Sequence, residues 1–294
     1  KENALFLPSG TMCNEIAYRV HCEPGDEVIV DKTAHPLHYE TGGPAALSGV
    51  MTRPLDGLYG IFSAEQVEAA IRRPSRHHPA SRLLSVENTS NGGGGTVWPL
   101  ERVQEVTRAA RDAGLRTHLD GARLMNAVVA SGVSARDYAE PFDSAWICFT
   151  KGLGAPVGAV LAGSADFVDR AWRFKHQFGG AMRQAGIIAA AGIYALENHV
   201  ERLAEDHANA RHFAELIAEI PGIAVDMDSV QTNMVYFDTR ATGLSAPEIG
   251  KRLLERGVRI GDVDDACMRA VTHIDVDRTA VEEAASALRS ALAG

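Results

Sequence analysis

The chain has 294 residues, 46% of them hydrophobic and 23% charged, with a formal net charge of −9. That length can bury one large core and a smaller second one, and an acidic surface argues against nucleic acid or an anionic membrane as partner. Cys13, Cys22, Cys148 and Cys267 share no regular spacing and form no CxxC pair, which predicts free thiols in a reducing, cytoplasmic setting; no apolar run reaches the roughly 18–20 residues that span a bilayer, and no signal peptide is visible.

The opening Lys1-Glu2-Asn3 lacks an initiator methionine and runs at once into Ala4-Leu5-Phe6-Leu7. The expectation is that an N-terminal segment precedes it. Ala4–Leu7 reads as a short strand or an approach to a helix. Pro8-Ser9-Gly10-Thr11 is a turn, and Met12 to Val20 can be helical. A turn entering a helix N-terminus offers free backbone N–H groups and the positive end of the dipole. Hydroxyls and a glycine there suit a phosphate, although they also serve as ordinary caps.

Asp26–Asp31 is a compact strand after Pro24-Gly25, and His35 lies in the loop beyond it. Ser63–Ile71 reads as a Ser-capped helix. Basic residues Arg72, Arg73, Arg76, His77, His78 and Arg82 make the one dense positive patch, read as a solvated loop. Arg82–Val86 is a strand closed by Glu87-Asn88-Thr89-Ser90-Asn91. Gly92–Gly95 lacks the lysine of a P-loop and the spacing of a dinucleotide fingerprint, so a mobile linker is expected.

Leu100, Val103, Val106 and Ala110 recur at helical spacing before Gly114. Thr117–Asp120 is a short strand, 145–149 a buried one ending in Thr150-Lys151-Gly152, and 157–161 another. Ala165–Arg173, Ala185–Leu196 and Val200–Ile217 read as helices, the middle one rich in small residues that permit close packing. Beyond Pro221-Gly222, strands are expected at 223–225, 234–237, 258–260 and 268–271. Ser245-Ala246-Pro247-Glu248 and Thr279-Ala280-Val281-Glu282 read as capping boxes opening two more helices.

Strands alternating with helices predict an α/β fold with a mostly parallel, doubly wound sheet over residues 1–200. A small α+β domain is expected over 201–294. In such sheets sites lie beyond the carboxyl ends of the strands, and His35, Asn88, Asp120, Arg123 and Lys151 all fall at or just after predicted strand ends. A lysine beside a buried strand must be paired, desolvated or used covalently. Pyridoxal phosphate needs an amine for its aldehyde, a carboxylate for its ring nitrogen, a flat partner for its ring and N–H groups for its phosphate. Lys151, Asp120 about 31 residues upstream, His35 and the Ser9-Gly10-Thr11 turn match those needs.

The matching stretches are Phe6–Asn14, Ala34–Glu40, Glu87-Asn88-Thr89, His118–Arg123, Phe149–Gly152, Gly179–Gln184 and Met268–His273. Through their order and spacing the sequence resembles the threonine aldolase family, across essentially its whole length. The resemblance implies a fold-type I, aspartate aminotransferase-like large domain with pyridoxal 5'-phosphate. It implies retro-aldol cleavage of a β-hydroxy-α-amino acid such as threonine, allo-threonine or phenylserine to glycine and an aldehyde. A β-eliminating lyase of the same fold, or a non-catalytic cofactor-binding paralogue, is the alternative.

By position, the resemblance makes Lys151 the Schiff-base lysine, Asp120 the partner of the ring nitrogen, and His35 the stacking residue and proton carrier. Ser9, Gly10 and Thr11 would hold the phosphate, with Arg183 near it across a subunit contact. Arg123 and Arg269 would clamp the substrate carboxylate, and Glu40 and Ser90 would line the substrate pocket. No metal site is expected, and a homodimer or homotetramer with sites at the dimer interface is. Ser90 departs from the histidine usual in the family's Glu-Asn-Thr-His-Asn. A serine is smaller and cannot act as a base near neutral pH, so altered selectivity and room for a bulkier β-substituent such as phenyl are expected.

Overall fold

Strands that are buried on both faces must carry near-continuous apolar runs, and helices must cover them. That pattern builds the first of two units in the computed structural model, which describes residues 1–293. This unit comprises residues 1–93 and 97–200. Its elements are β1 (Asn3–Leu7), α1 (Gly10–His21), β2 (Glu27–Asp31), α2 (His35–His38), β3 (Met51–Leu55), α3 (Ala64–Ala70), β4 (Ser81–Glu87) and α4 (Leu100–Asp112). They continue with β5 (Arg116–Gly121), α5 (Leu124–Ser131), α6 (Ala135–Ala139), β6 (Ser144–Cys148), β7 (Ala159–Gly163), α7 (Ala165–Gln177) and α8 (Ala185–Asn198).

The seven strands lie in the order β1-β7-β6-β5-β4-β2-β3. β6, β5, β4, β2 and β3 run parallel, whereas β7 is antiparallel to β6 and β1 to β7. The segment 149–158 between β6 and β7 is too short for the helical crossover a parallel pair needs. One face of the sheet packs Ile29, Leu84, Val86 and Leu119 against Val103, Val106 and Ala110 of α4 and Val67 of α3. The other packs Leu5, Leu7 and Leu161 against Ile16, Ala17 and Val20 of α1 and Phe167 and Ala171 of α7. Burying each such side chain stabilises the fold by about 1.5–3 kcal/mol. Helices on both faces place the carboxyl ends of β2, β4, β5 and β6 on one open edge.

Three local expectations change. Gly92–Gly95 is a packed turn and not a mobile linker. A Cβ on Gly92 would meet Thr33 Cβ at 2.5 Å, and one on Gly93 would meet the Tyr59 carbonyl oxygen at 1.9 Å. His35 opens a one-turn helix instead of sitting in a loop. The small-residue helix α8 packs Gly192 on Phe149 but leaves Ile187, Ile193, Tyr194 and Leu196 exposed.

The second unit holds residues 94–96 and 201–294: α9 (Leu203–Ala218), β8 (Ala224–Val225), β9 (Met234–Asp238), α10 (Ala246–Leu254), β10 (Gly261–Asp262), β11 (Cys267–Val271) and α11 (Arg278–Ala293). Its antiparallel sheet runs β10-β11-β9-β8. Phe213, Ile217, Val235, Phe237, Leu253, Met268 and Leu288 fill its core. The strand expected at 258–260 is an unpaired approach, with pairing beginning at Gly261. α11 starts one residue before Thr279, and Asp277 caps it by accepting the Ala280 N–H at 2.9 Å. Aspartate accepts such a bond as well as threonine does, so both were competent caps. Among the described residues no helix is long and apolar enough to cross a membrane.

Candidate active site

At the open edge of the large sheet a cavity of about 200 Å³ is lined by Ser9, Gly10, Thr11, His35, Glu40, Asp120, Trp146, Cys148 and Lys151. Four chain segments meet there, at the carboxyl ends of β1, β2, β5 and β6, which run in the same direction. The first is the entry to α1. Ser9 is extended and its Oγ accepts the Met12 N–H at 3.2 Å, so the helix begins with its other N–H groups directed outward. Gly10 is required by proximity: a Cβ would lie 2.3 Å from Trp146 Cη2. The helix end therefore rests directly on the indole of β6.

Lys151 follows β6. It is half-buried, with Nζ 5.6 Å from the Trp146 ring centroid, within cation–π range. Asp120, 2% exposed at the end of β5, accepts from Asn14 Nδ2 at 2.8 Å and from the Ala122 N–H at 3.0 Å. Both bonds fix the orientation of its carboxylate. His35 is tied down at two points. Its N–H donates to Glu87 Oε2 at 3.0 Å, and Nδ1 lies 2.9 Å from Glu40 Oε1. Burial opposes a charge on this ring. The Glu40 hydrogen bond and the charges of Asp120, Glu40 and Glu87 outweigh it and raise the His35 pKa.

Four residues of this edge carried no sequence-level role: Asn14, Glu15, Glu87 and Trp146. Glu87 is buried and bridges two segments, accepting the His35 N–H and the Asn91 N–H, each at 3.0 Å. Burial, then the Asp120 charge, push its carboxyl up to about 7. Asn14 is 1% exposed and saturated. Its Oδ1 accepts from Trp146 Nε1 at 2.8 Å, and its Nδ2 donates to Glu40 at 2.9 Å and to Asp120. An indole nitrogen only donates, so Trp146 determines which way the amide points. The available signal was the pair Asn14-Glu15 between Cys13 and Ile16 on an otherwise apolar helix, since buried polar residues are the informative exception.

The other expected site residues are held in different ways. Glu40 lines the cavity, but its Oε1 is occupied by His35 and Asn14, so it orients the histidine. Ser90 is 2% exposed, its Oγ accepts the Gly93 N–H at 3.2 Å, and a Cβ on Gly60 would come within 2.0 Å of that oxygen. The room left by the serine is thus taken up by the Gly60 turn. Arg123 caps α5, half-buried in a small neighbouring cleft with Gly152 and Leu153. Arg183 is exposed, on a segment whose Gly180 packs so closely on Met12 that a Cβ would meet its Sδ at 2.4 Å. Arg269 belongs to the second unit, on β11 opposite Tyr236.

A parallel sheet whose open edge carries a lysine, a buried aspartate, a histidine and a helix N-terminus defines the fold-type I class of pyridoxal phosphate enzymes. Residues 1–240 match the model of the beta-eliminating lyase family. The chain is 41% identical to the low specificity L-threonine aldolase of Escherichia coli K12, covering 100% of this chain and 85% of that protein. It is 37% identical to low-specificity L-threonine aldolase 1 of Arabidopsis thaliana, covering 99% and 83%. Among solved structures it resembles the threonine aldolase of Leishmania major (TM-score 0.82, 22% identity, 99% and 84% covered) and the serine palmitoyltransferase of Sphingomonas wittichii (TM-score 0.76, 17% identity, 99% and 72% covered). The chain belongs to the beta-eliminating lyase family, and within it to the threonine aldolases; it is a pyridoxal phosphate-dependent lyase.

Proposed function

We propose that this enzyme cleaves β-hydroxy-α-amino acids of the threonine, allo-threonine or phenylserine type to glycine and an aldehyde. The observation that supports it is the single cavity where Lys151, Asp120, His35 and the N-terminus of α1 meet. The residues fit pyridoxal 5'-phosphate: Gly10 leaves a close cradle at the helix end, and Asp120 is a buried carboxylate held by two donors. When bound, that group supplies an electron sink for the bonding pair released from the substrate Cα.

The residues divide the remaining work. Lys151 would offer the amine that holds the cofactor's aldehyde. Asp120 keeps the ring nitrogen protonated, and Asn14 holds the carboxylate in place for that task. Ser9, Gly10 and Thr11 receive the phosphate, with Arg183 as an outer partner. His35 would face the ring and move a proton through Nε2, the nitrogen not bonded to Glu40. The family resemblance assigns Arg123 and Arg269 to the substrate carboxylate, a bidentate task suited to guanidinium. Ser90 borders the β-substituent. A second copy of the chain covers the exposed Ile187, Ile193, Tyr194 and Leu196 of α8, completing a homodimer or homotetramer.

The test is to measure acetaldehyde and benzaldehyde release, with glycine, from threonine and phenylserine in the presence of added cofactor. Release is expected from the native enzyme, with Lys151→Ala lowering it by roughly 10³-fold or more. Ammonia and a keto acid in place of aldehyde and glycine would instead assign β-elimination.

A further inference from the structure

Glu15 is a buried acid that the chemistry above leaves unused. It lies in α1, 1% exposed, and packs against Gly43, where a Cβ would come within 2.2 Å of its Oε1. Both of its carboxyl oxygens and Oε2 of Glu40 are buried without a donor from any described N–H, amide or hydroxyl group. The nearby Ser48 hydroxyl donates to the Glu15 backbone carbonyl at 3.0 Å; its pull on the carboxyl favours the charged form but is weaker than burial and the Glu40 contact, which oppose it. The Tyr18 hydroxyl donates to Ser85, and burial keeps it protonated.

Glu15 and Glu40 therefore satisfy each other. Two carboxylates in one buried site cannot both ionise, and a proton between them turns the contact into a hydrogen bond. Its location follows from the neighbours. Glu40 Oε1 already receives Asn14 Nδ2 and His35 Nδ1 at 2.9 Å each, so it serves as the acceptor of the pair. Glu15 has only the weaker influence of the Ser48 hydroxyl beside it. Burial first, and then the Glu40 charge and hydrogen bond, push the Glu15 carboxyl up to about 8.

We infer that Glu15 is a positioning residue: a neutral carboxylic acid that donates to Glu40, fixes it as a singly charged acceptor, and so holds His35 with its proton on Nδ1 and Nε2 free for the cavity. The consequence for the reaction rests on the aldolase reading; the tautomer does not. Near neutral pH the Glu15 proton leaves one net charge on the pair. When it is lost in alkali, a second charge appears behind Glu40 and the imidazole is drawn toward its cationic form.

The experiment compares Glu15→Gln and Glu15→Leu in the full, cofactor-loaded enzyme, reading the His35 ring nitrogens by NMR, with the resonance assigned through His35→Gln. Glutamine still donates and carries no charge, so E15Q is expected to retain the native tautomer and to lose the alkaline inflection near pH 8. E15L leaves Glu40 Oε2 without a donor. It is expected to mix the tautomers and to lower kcat about tenfold with a smaller change in KM, the effect of one hydrogen bond to a charged group. An E15Q ring that behaves like E15L, an E15L ring that stays native, or an inflection that persists in E15Q would each overturn the inference. Should E15L fail to fold, the inflection in native enzyme against E15Q decides alone. Failure of the aldolase reading is distinct: no aldehyde forms, while the His35 signals still follow the Glu15 variants.

Discussion

The two ends of the large sheet are built from the same strands but solve opposite electrostatic problems. At the amino end, acids and bases cancel in pairs. Arg72 Nε bonds Glu27 at 2.9 Å, Arg116 bonds Asp143 at 3.1 Å, and Arg82 faces Asp26 at 3.5 Å. The wider cleft, about 480 Å³ beside Arg72, Arg73 and Arg82, is at this end. At the carboxyl end, Glu15, Glu40, Glu87 and Asp120 converge with His35 and Lys151. Two of those four acids are pushed up to about 8 and about 7, and His35 is raised. Cleft size therefore points to the wrong end. Surplus buried acid, which shifts Glu15, Glu87 and His35, marks the candidate site.

The ends are also wired together. Asn14 Oδ1 accepts from His118 Nε2 at 3.2 Å, His118 Nδ1 meets Ser144 Oγ at 2.8 Å, and His21 Nε2 meets the same oxygen at 2.8 Å. α1 spans both ends, with Ser9 and Gly10 at one and His21 at the other. Burial holds His118 well below its usual pKa and His21 down at about 4, so this relay is neutral where the carboxyl end is charged.

The largest effect that sharpens the contrast is Asp120→Asn. It preserves shape but removes the carboxylate proposed to pair with the ring nitrogen, and kcat is expected to fall roughly 10²-fold or more, measured by aldehyde release with the fold checked by circular dichroism. The counterpart at the amino end is Arg72→Ala. It leaves Glu27, 1% exposed, with only the Ser81 hydroxyl, and is expected to cost about 1–3 kcal/mol of stability with kcat/KM unchanged within measurement. A comparable loss of kcat/KM in R72A would break the division between the ends.

Ser90→His comes next. The family-like side chain should move preference toward threonine. Because Gly60 packs on the serine oxygen, overpacking should also cost about 1–3 kcal/mol in denaturant unfolding. An unchanged threonine-to-phenylserine ratio removes Ser90 from the selectivity argument.

The smallest effect is on stability against pH. Glu15 and Glu87 have raised folded-state pKa values, so their contribution is full below about 4.5, the ordinary carboxyl value, and is lost as pH rises through about 7 and 8. His21 has a lowered one, so its contribution is full above 6.5 and lost as pH falls through about 4. The thermal midpoint should fall on both flanks, and Glu87→Gln should flatten the alkaline flank alone. A native profile flat from pH 6 to 9 would contradict the carboxyl-end assignments.

Much of this architecture was legible before folding. The strands 26–31, 82–86, 117–120 and 145–149 are short apolar runs bounded by turn residues, and the helices at 63–71 and 100–112 announce themselves by period and cap. Those signals are local, set by alternation and helical spacing over a few residues. They were enough to bring His35, Asp120 and Lys151 to one edge, because parallel strands put all their carboxyl ends together. The antiparallel turn of β7, the packed Gly92–Gly95 turn and the Asp277 cap depended on neighbours distant in sequence, or on a choice between equally good local caps.

What the sequence alone determined was which groups come to the open edge: an amine, a carboxylate, an imidazole and a helix end. Only the tertiary structure decided their states. The Asn14 amide is oriented by Trp146, 132 residues away, and the Glu15 proton is set by Glu40 and by burial. A hydrogen bond between buried groups depends on which partners the fold delivers within 3 Å, and no spacing along the chain encodes that.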